Sequence, residues 1–335
     1  MNYDNKIGTR VVRGLDFSPE SVDKARSENK MLVLDMDFTT KCNLRCFYCD
    51  RSPDINEKQK EEITLSERKD VIFQANRLGA WAVGILGAGE PMLDPAFWEL
   101  IEYIDSLNMV PLLYTSGWEI KSIDTVKELF DHNVSIMLKY NTEKEFLADK
   151  MVGVKGYGSH VKTVMKWLLA AGFNKSTPTR LAINVVATKN TLDEDEFLNL
   201  FIWCRENNIY MHGQSLIPSG KADNIQFTLN KTEAVSLLQK GQQIDQERYG
   251  FNYSIVPPII GGFRCRKVNV GMFINAYGEV WDCNGSGRKL GSFPELTLEE
   301  IWNSNKAKKV REPLQEGFCH IRESWWGNID NGWKM

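Results

Sequence analysis

The sequence lacks the long apolar runs of a membrane protein: no uninterrupted stretch approaches the roughly 20 residues that a transmembrane helix needs. Its N-terminus has no apolar h-region, so we expect no secretory signal. Net charge is also small, since 41 Lys and Arg oppose 44 Asp and Glu to give −3, which disfavours a surface built for nucleic acid. We therefore expect a soluble, cytoplasmic chain, and its 335 residues favour about two domains.

Cysteine is scarce, with seven residues, and unevenly placed. Three lie within eight residues, one stands alone and three are spread over the last quarter: Cys42, Cys46, Cys49, Cys204, Cys265, Cys283 and Cys319. An odd count in a reducing cytosol argues against a disulfide framework. Clustered thiols in that compartment usually bind a metal or perform redox chemistry. Cys204, inside a predicted helix, is better explained as a buried, inert thiol.

Predicted strands and helices alternate through the first two-thirds of the chain. Strands are expected at 31–37, 81–86, 110–114, 134–139, 180–188 and 210–217. Helices are expected at 64–79, 94–107, 123–132, 159–171, 193–207 and 232–247. Thr64 with Glu67 forms a capping box for the first helix, and Asp94 followed by Pro95 predicts an N-cap for the second. Six βα units favour parallel strands, either in a barrel or in a doubly wound sheet.

The pattern changes near residue 250, where we place a domain boundary. The last part predicts a hairpin with strands at 269–274 and 279–282, and then a helix from a Thr297–Glu300 capping box to about residue 311. The predicted organisation is an N-terminal extension at 1–30, with at most one short helix, an α/β domain at 31–250 and a small α+β domain with a tail at 251–335.

The first cysteine cluster has CxxxCxxC spacing and follows the first predicted strand directly. Zinc usually takes four ligands with paired CxxC spacing, and no fourth Cys or His lies nearby. Three thiolates instead suit three corners of a cubic iron–sulfur cluster, which leaves one iron open to a ligand with an amine and a carboxylate. The alternative is three buried cysteines that happen to lie close together.

At these residues the sequence resembles the radical S-adenosylmethionine (SAM) superfamily. Cys42, Cys46 and Cys49, with Tyr48 in the aromatic position, meet its CxxxCxΦC signature. The resemblance implies a partial (β/α)6 TIM-type barrel, and a 4Fe–4S cluster held by the three cysteines whose unique iron binds SAM. Reductive cleavage of SAM would then give a 5′-deoxyadenosyl radical that abstracts a hydrogen atom from the substrate, the cofactor supplying the difficult chemistry.

A glycine-rich segment after the second strand supports the same resemblance. The sequence Gly87-Ala88-Gly89-Glu90-Pro91 stands where the family carries GGEP against the SAM amino group, with one inserted alanine. Glycine permits close backbone approach, and a carboxylate can face an ammonium. Further cofactor contacts are implied at strand ends, namely with ribose, with the SAM carboxylate or with adenine: Thr115, Ser116, Lys139, Asn184, Gln214, Leu216 and Ile217. The alternative for each polar one is a side chain that merely caps its strand.

The second cysteine set reads C-x12-G-x4-C from Cys265 through Gly278 to Cys283, with Cys319 beyond the last helix. This resembles the opening of the SPASM and twitch domains that hold auxiliary clusters in radical SAM enzymes. The CxxC-rich segment of a full SPASM domain is missing, so the resemblance implies the shorter twitch form with one auxiliary 4Fe–4S cluster. A fourth ligand could be a carboxylate, the substrate or one of three side chains: His320, Arg264 or Arg266. The alternative is structural thiols.

For function, the sequence predicts a radical SAM oxidoreductase acting on a small polar metabolite such as a sugar or aminocyclitol. In such relatives the auxiliary cluster either accepts an electron from the substrate radical or anchors the substrate. A peptide maturase that crosslinks, oxidises or epimerises its substrate is the second hypothesis. A non-enzymatic iron–sulfur or zinc protein is the third, and it leaves the glycine-rich segment unexplained. The resemblance also implies an electron donor such as flavodoxin or ferredoxin. His212, on the sixth strand, could face the substrate.

Overall fold

The computed structural model describes residues 11–51, 61–189, 192–216, 220–222, 228–255, 257–285 and 287–312. Six strands are parallel: β1 (Val33–Asp37), β2 (Ala82–Leu86), β3 (Val110–Thr115), β4 (Ser135–Lys139), β5 (Leu181–Ala187) and β6 (Tyr210–Ser215). They lie side by side in chain order. A doubly wound sheet would reverse its order at a switch point, so the consecutive order confirms the predicted partial (β/α)6 barrel.

Eleven α-helices occur in the described residues. They are α1 (Pro19–Ser27), α2 (Leu65–Arg77), α3 (Phe97–Ser106), α4 (Ile123–Asp131), α5 (Glu145–Val152), α6 (Tyr157–Ala170), α7 (Glu194–Glu206), α8 (Lys231–Tyr249), α9 (Lys267–Val270), α10 (Leu298–Asn303) and α11 (Asn305–Arg311). None of the helices in these residues is long and apolar enough to cross a membrane. The single helix expected at 159–171 is the second of a pair, because α5 precedes it.

Some of the predicted helix starts agree with the structure and others do not. The Thr64–Glu67 and Thr297–Glu300 capping boxes are both formed. The predicted Asp94 cap is wrong, because α3 begins at Phe97 with Ala96 as its N-cap. One oxygen of the Asp94 carboxylate accepts from the Ala96 N–H at 2.8 Å, just before the helix, and the other binds the guanidinium of Arg68. The last predicted helix is interrupted at Ser304, whose side chain caps α11.

The C-terminal hairpin is present, and it continues the barrel sheet. Its strands are β7 (Gly271–Ile274) and β8 (Glu279–Trp281), and a further strand, β9 (Lys289–Ser292), follows antiparallel to β8. Residues 269 and 270 lie in α9 rather than in the first hairpin strand. β7 pairs in parallel with the open side of β1, which extends the sheet to nine strands.

The inner face of the barrel sheet is covered by residues 11–17, which we call the N-terminal strap. Val12 forms a bridge to Thr179, and the Arg13 N–H donates to the Thr179 carbonyl at 2.8 Å. Val12 and Leu15 are buried against inward-facing side chains of the sheet, among them Tyr210. The predicted polar extension therefore contains, besides the expected short helix, a segment that fills the barrel interior. The outer face of the sheet packs against the helices.

Candidate active site

The described cysteines of both sets face one cavity of about 360 Å³ at the carboxyl ends of the parallel strands. Five cysteines line it: Cys42, Cys46, Cys49, Cys265 and Cys283. Active sites of barrels of this kind lie at the carboxyl ends of the strands. Cys319 and His320 lie outside the described residues, and Arg264 and Arg266 are not among the residues that line the cavity. Cys204 is fully buried in α7, as expected of an inert thiol.

The first cysteine loop (residues 38–51) is held by backbone hydrogen bonds to the parts of the barrel around it. The Arg45 N–H donates to the Val152 carbonyl at 2.8 Å, which docks the loop on the end of α5. The Cys49 carbonyl accepts from the Lys221 N–H at 3.0 Å. At the start of the loop, the Glu62 carboxylate accepts from the Thr40 N–H and hydroxyl, both at 2.8 Å. The loop is thus preorganised by protein contacts.

Burial raises the pKa of the Cys46 thiol to about 11 and that of Cys49 to about 12. These thiols are therefore protonated at neutral pH until a positive centre binds them, and binding must release protons. No three His, Cys, Asp or Glu side chains of the described residues converge on a point that could hold one metal ion. In an iron–sulfur cluster each thiolate binds a different iron, so its cysteine ligands need not converge on one point.

The glycine-rich segment 87–91 is packed against the first cysteine loop. The Gly89 N–H donates to the Thr39 carbonyl at 3.0 Å, and the Glu90 N–H donates to the Lys41 carbonyl at 2.8 Å. A Cβ on Gly89 would lie 2.0 Å from the Lys41 oxygen, and one on Gly87 would lie 1.8 Å from the Gly89 oxygen. Only glycine fits at either position, so the two motifs form one unit.

The Glu90 carboxylate is buried in the cavity wall and accepts three hydrogen bonds from the end of β3. One oxygen accepts from the Thr115 hydroxyl at 2.6 Å, and the other accepts from the Ser116 N–H at 2.9 Å and hydroxyl at 2.6 Å. Burial nevertheless raises the pKa of Glu90 above its ordinary value of 4.5, against the effect of these donors. A cation bound beside this carboxylate would stabilise its charged form.

Lys139 and Asn184 form a polar pair across β4 and β5. The Lys139 ammonium donates to the Asn184 side-chain oxygen at 2.6 Å and lies 4.9 Å from the centre of the Tyr48 ring. Burial lowers the pKa of Lys139 to about 8. The Tyr48 hydroxyl accepts from the Asn141 side chain at 2.9 Å, which fixes the aromatic residue of the cysteine motif.

The remaining predicted positions lie at the end of β6. Gln214, Leu216 and His212 line the cavity, and the Tyr210 hydroxyl lies 3.3 Å from Nδ1 of His212. Ile217 lies outside the described residues. The cavity therefore brings together every described position at which the sequence predicts a cofactor contact.

Two buried ion pairs on β1 were missed by the sequence reasoning. Asp37 pairs with Arg51 at 2.8 Å, and Asp35 pairs with Lys267 at 2.7 Å. Burial is the largest single effect on the pKa of Lys267 and lowers it, but the charge and hydrogen bonds of Asp35, together with Tyr114 and Cys265, raise the pKa above its ordinary value. The one available signal was the alternation of acidic and apolar residues in LDMD, which places both carboxylates on the inner face of the barrel.

Cys283 lies in a loop between β8 and β9 that Asp282 closes. The Asp282 carboxylate accepts from the Arg288 N–H at 2.5 Å and from its guanidinium at 2.9 Å. The Cys283 sulfur accepts from the Gly285 N–H at 3.4 Å, a type of contact that tunes thiolates bound to iron. The loop thus presents Cys283 to the cavity.

A partial barrel whose first strand leads into three thiols, beside a glycine-rich segment packed on the same loop, defines a class of iron–sulfur enzymes. The family model of the radical SAM superfamily matches residues 36–201, and that of the SPASM iron–sulfur cluster-binding domain matches residues 265–322. The chain belongs to the radical SAM superfamily. Its cofactors are a 4Fe–4S cluster with SAM and an auxiliary iron–sulfur cluster in the C-terminal region.

Similar proteins differ in what they act on. The chain is 24% identical to the mycofactocin maturase MftC of Mycobacterium tuberculosis over 311 residues, covering 86% of this chain and 74% of that protein. It is 26% identical to the GTP 3′,8-cyclase of Clostridium perfringens over 292 residues, covering 85% and 84%. The solved structure of Streptococcus suis SuiB bound to the precursor peptide SuiA has a TM-score of 0.68 and 19% identity, covering 90% of this chain and 75% of SuiB. The likeness to SuiB establishes the fold.

Proposed function

We propose that this chain is a peptide maturase that modifies its substrate oxidatively. The observation that carries the proposal is the single cavity lined by both cysteine sets, because a substrate radical formed there lies beside the auxiliary site. MftC is named as a maturase, and SuiB is described with a precursor peptide, which favours a peptide over the small metabolite expected from the sequence.

In this proposal three thiolates hold the SAM-binding cluster and three hold the auxiliary cluster: Cys42, Cys46, Cys49, Cys265, Cys283 and Cys319. When bound, the first cluster and SAM supply a radical able to take a hydrogen atom from an unactivated carbon. Glu90 faces the SAM ammonium, and its contacts with Thr115 and Ser116 orient the carboxylate. Lys139 and Asn184 bind the ribose or carboxylate of SAM, and backbone near Gln214 and Leu216 receives adenine.

The barrel interior also has to keep water away from a reactive radical. Leu15 of the N-terminal strap lines the cavity together with Met137 and Phe263, and the three form an apolar part of its wall. These three side chains are part of the protein, so this apolar wall does not require a bound cluster. A small donor such as flavodoxin or ferredoxin is proposed as the source of the reducing electron.

The test uses the reconstituted chain with SAM and a reductant. Synthetic peptides containing perdeuterated amino acids are compared with deuterated sugars and deuterated GTP. We expect deuterium in 5′-deoxyadenosine with at least one peptide and with none of the small molecules, and none with the Cys42→Ala variant. Transfer from a sugar or GTP, with none from any peptide, would replace the peptide by a small metabolite. SAM cleavage by the Cys42→Ala variant would overturn the cluster assignment.

A further inference from the structure

The two inward carboxylates of β1 each bind a cation from a different part of the chain. Asp35 accepts from Lys267 at 2.8 and 2.7 Å through its two oxygens, and Asp37 accepts from Arg51 at 2.8 Å. Side chains on one face of a strand repeat every second residue, so the two pairs are about 7 Å apart along β1. Both pairs face the barrel interior rather than solvent.

Each cation follows a cysteine that lines the cavity by two residues. Arg51 follows Cys49, and Lys267 follows Cys265. The Arg51 guanidinium also lies 5.2 Å from the centre of the Phe273 ring on β7. β1 is therefore the common support of the first cysteine loop and of the segment that carries Cys265.

The Asp35–Lys267 pair is built into the barrel. The exposed fractions of the two side chains are 6% for Asp35 and 16% for Lys267. Gly84 lies opposite Asp35 on β2, and a Cβ there would lie 2.2 Å from the Asp35 carboxylate. The lack of a side chain at this position of β2 thus leaves room for the carboxylate. A pair this buried costs desolvation, so losing one partner leaves an uncompensated charge.

Cys265 lies two residues before the lysine of this pair. Residues 263–266 have no regular structure, and Lys267 is the first residue of α9. α9 is also held by Asn269, whose side chain donates to the Arg311 carbonyl at 3.0 Å, and by the packing of Val270 against α1. The Lys267 side chain links this short helix to the inner face of β1 through Asp35, while the Val270 carbonyl accepts from the Leu32 N–H at 2.7 Å just before that strand.

We propose that Asp35 and Lys267 are positioning residues that hold the Cys265 thiol, and with it the auxiliary cluster, at a set place relative to the SAM site. The inference rests on Cys265 as a ligand of the auxiliary cluster. It goes beyond the proposed function, because it holds for any substrate. A bidentate ion pair suits this role, since its two hydrogen bonds restrict orientation as well as distance.

The test uses the full chain with a Cys42→Ala/Cys46→Ala/Cys49→Ala background, so that any iron bound is auxiliary. Three variants are made in this background: Lys267→Met, Lys267→Arg and the double variant Asp35→Asn/Lys267→Met. The matched control is Lys289→Met, which breaks a 2.9 Å pair with Glu279 on the same sheet, where the lysine side chain is 41% exposed. Four quantities are measured: iron per chain, the electron paramagnetic resonance spectrum of the reduced cluster, the rate of iron release to a chelator, and the temperature of thermal unfolding.

We expect Lys267→Met to change the spectrum and to release iron about tenfold faster, as a loosened local anchor implies. Lys267→Arg should restore both, and the control should match the background chain. The double variant removes the unpaired charge, so it should regain thermal stability without regaining the spectrum or the slow release.

Unchanged spectra and release rates in Lys267→Met would overturn the proposal. So would a double variant that recovers spectrum, release rate and stability together, because the pair would then serve the fold alone. A separate variant tests whether Cys265 is a ligand of the auxiliary cluster. If Cys265→Ala in the same background left iron per chain at its starting value, that assignment would be wrong. The proposed function is untouched by all of these results, since the background chain cleaves no SAM.

Discussion

The clearest quantitative expectation concerns Glu90→Gln. Proposed to face the SAM ammonium, the carboxylate contributes a charge-assisted hydrogen bond worth about 1.5–3 kcal/mol. Since 1.4 kcal/mol corresponds to a factor of ten, the dissociation constant of SAM should rise about 10- to 150-fold. Iron per chain should not change, because the substitution touches no thiol. The measurement is equilibrium dialysis of SAM against the reconstituted chain, with iron counted in the same samples.

In the chain without SAM, the property that Glu90→Gln should change is stability, because burial raises the pKa of Glu90. A carboxyl group whose pKa is raised by folding stabilises the folded state fully at pH values below its ordinary pKa of 4.5. This stabilisation is lost as the pH rises through the pKa of the folded state. Glutamine cannot ionise and avoids that loss. Thermal unfolding of SAM-free Glu90→Gln at pH 8 should therefore occur at a temperature no lower than that of the unchanged chain.

Glu62→Gln is the matched control for this experiment. Its carboxylate also accepts from two hydroxyls and one backbone N–H, those of Thr39 and Thr40, but Glu62 is not among the residues that line the cavity. SAM affinity in the control should stay within about threefold of the starting value, a difference below 1 kcal/mol. Equal weakening by both changes, or no weakening by Glu90→Gln, would refute the assignment of Glu90 to the SAM ammonium.

Three further predictions follow from buried side chains. Arg68→Leu leaves Asp94 buried and unpaired, so the free energy of unfolding in denaturant should fall by about 3–5 kcal/mol; a loss below 1 kcal/mol would contradict this. Leu15→Ala opens a cavity inside the barrel and should cost about 2–5 kcal/mol in the same assay, whereas an unchanged midpoint would mean that the strap contributes little to the core. Cys204→Ala should leave iron per chain unchanged while Cys42→Ala removes about four irons, and equal iron in both variants would contradict the ligand assignment.

Local patterns predicted the parts of this protein whose causes are local. The cysteine spacing and the glycine-rich segment both follow strands, and parallel strands bring their carboxyl ends to one edge, so their meeting was foreseeable. The capping boxes at Thr64 and Thr297 are closed by residues three positions away, which makes them readable from sequence. The predicted strand bounds were also correct to within two residues, because the sequence pattern of a strand is local as well.

What escaped prediction depends on partners distant in sequence. Lys267 and Asp35 are 232 residues apart, and no periodicity connects them. Asp94 resembles a helix cap, but one oxygen of its carboxylate pairs with Arg68, 26 residues earlier, and α3 begins later. The N-terminal strap was predicted as part of a polar extension, because Val12 and Leu15 are buried only by contact with the barrel strands, which lie far from them in sequence.

The pairing of β7 with β1 has a consequence for handling the protein in pieces. A fragment ending near residue 250 would keep the six parallel strands but leave the outer side of β1 with bare N–H and C=O groups. Leu34 and Met36 flank that edge, and they are apolar. Such an edge is a template for strand-to-strand association between molecules. We therefore expect the fragment to precipitate during expression, and the C-terminal region to act as a solubility determinant for the barrel.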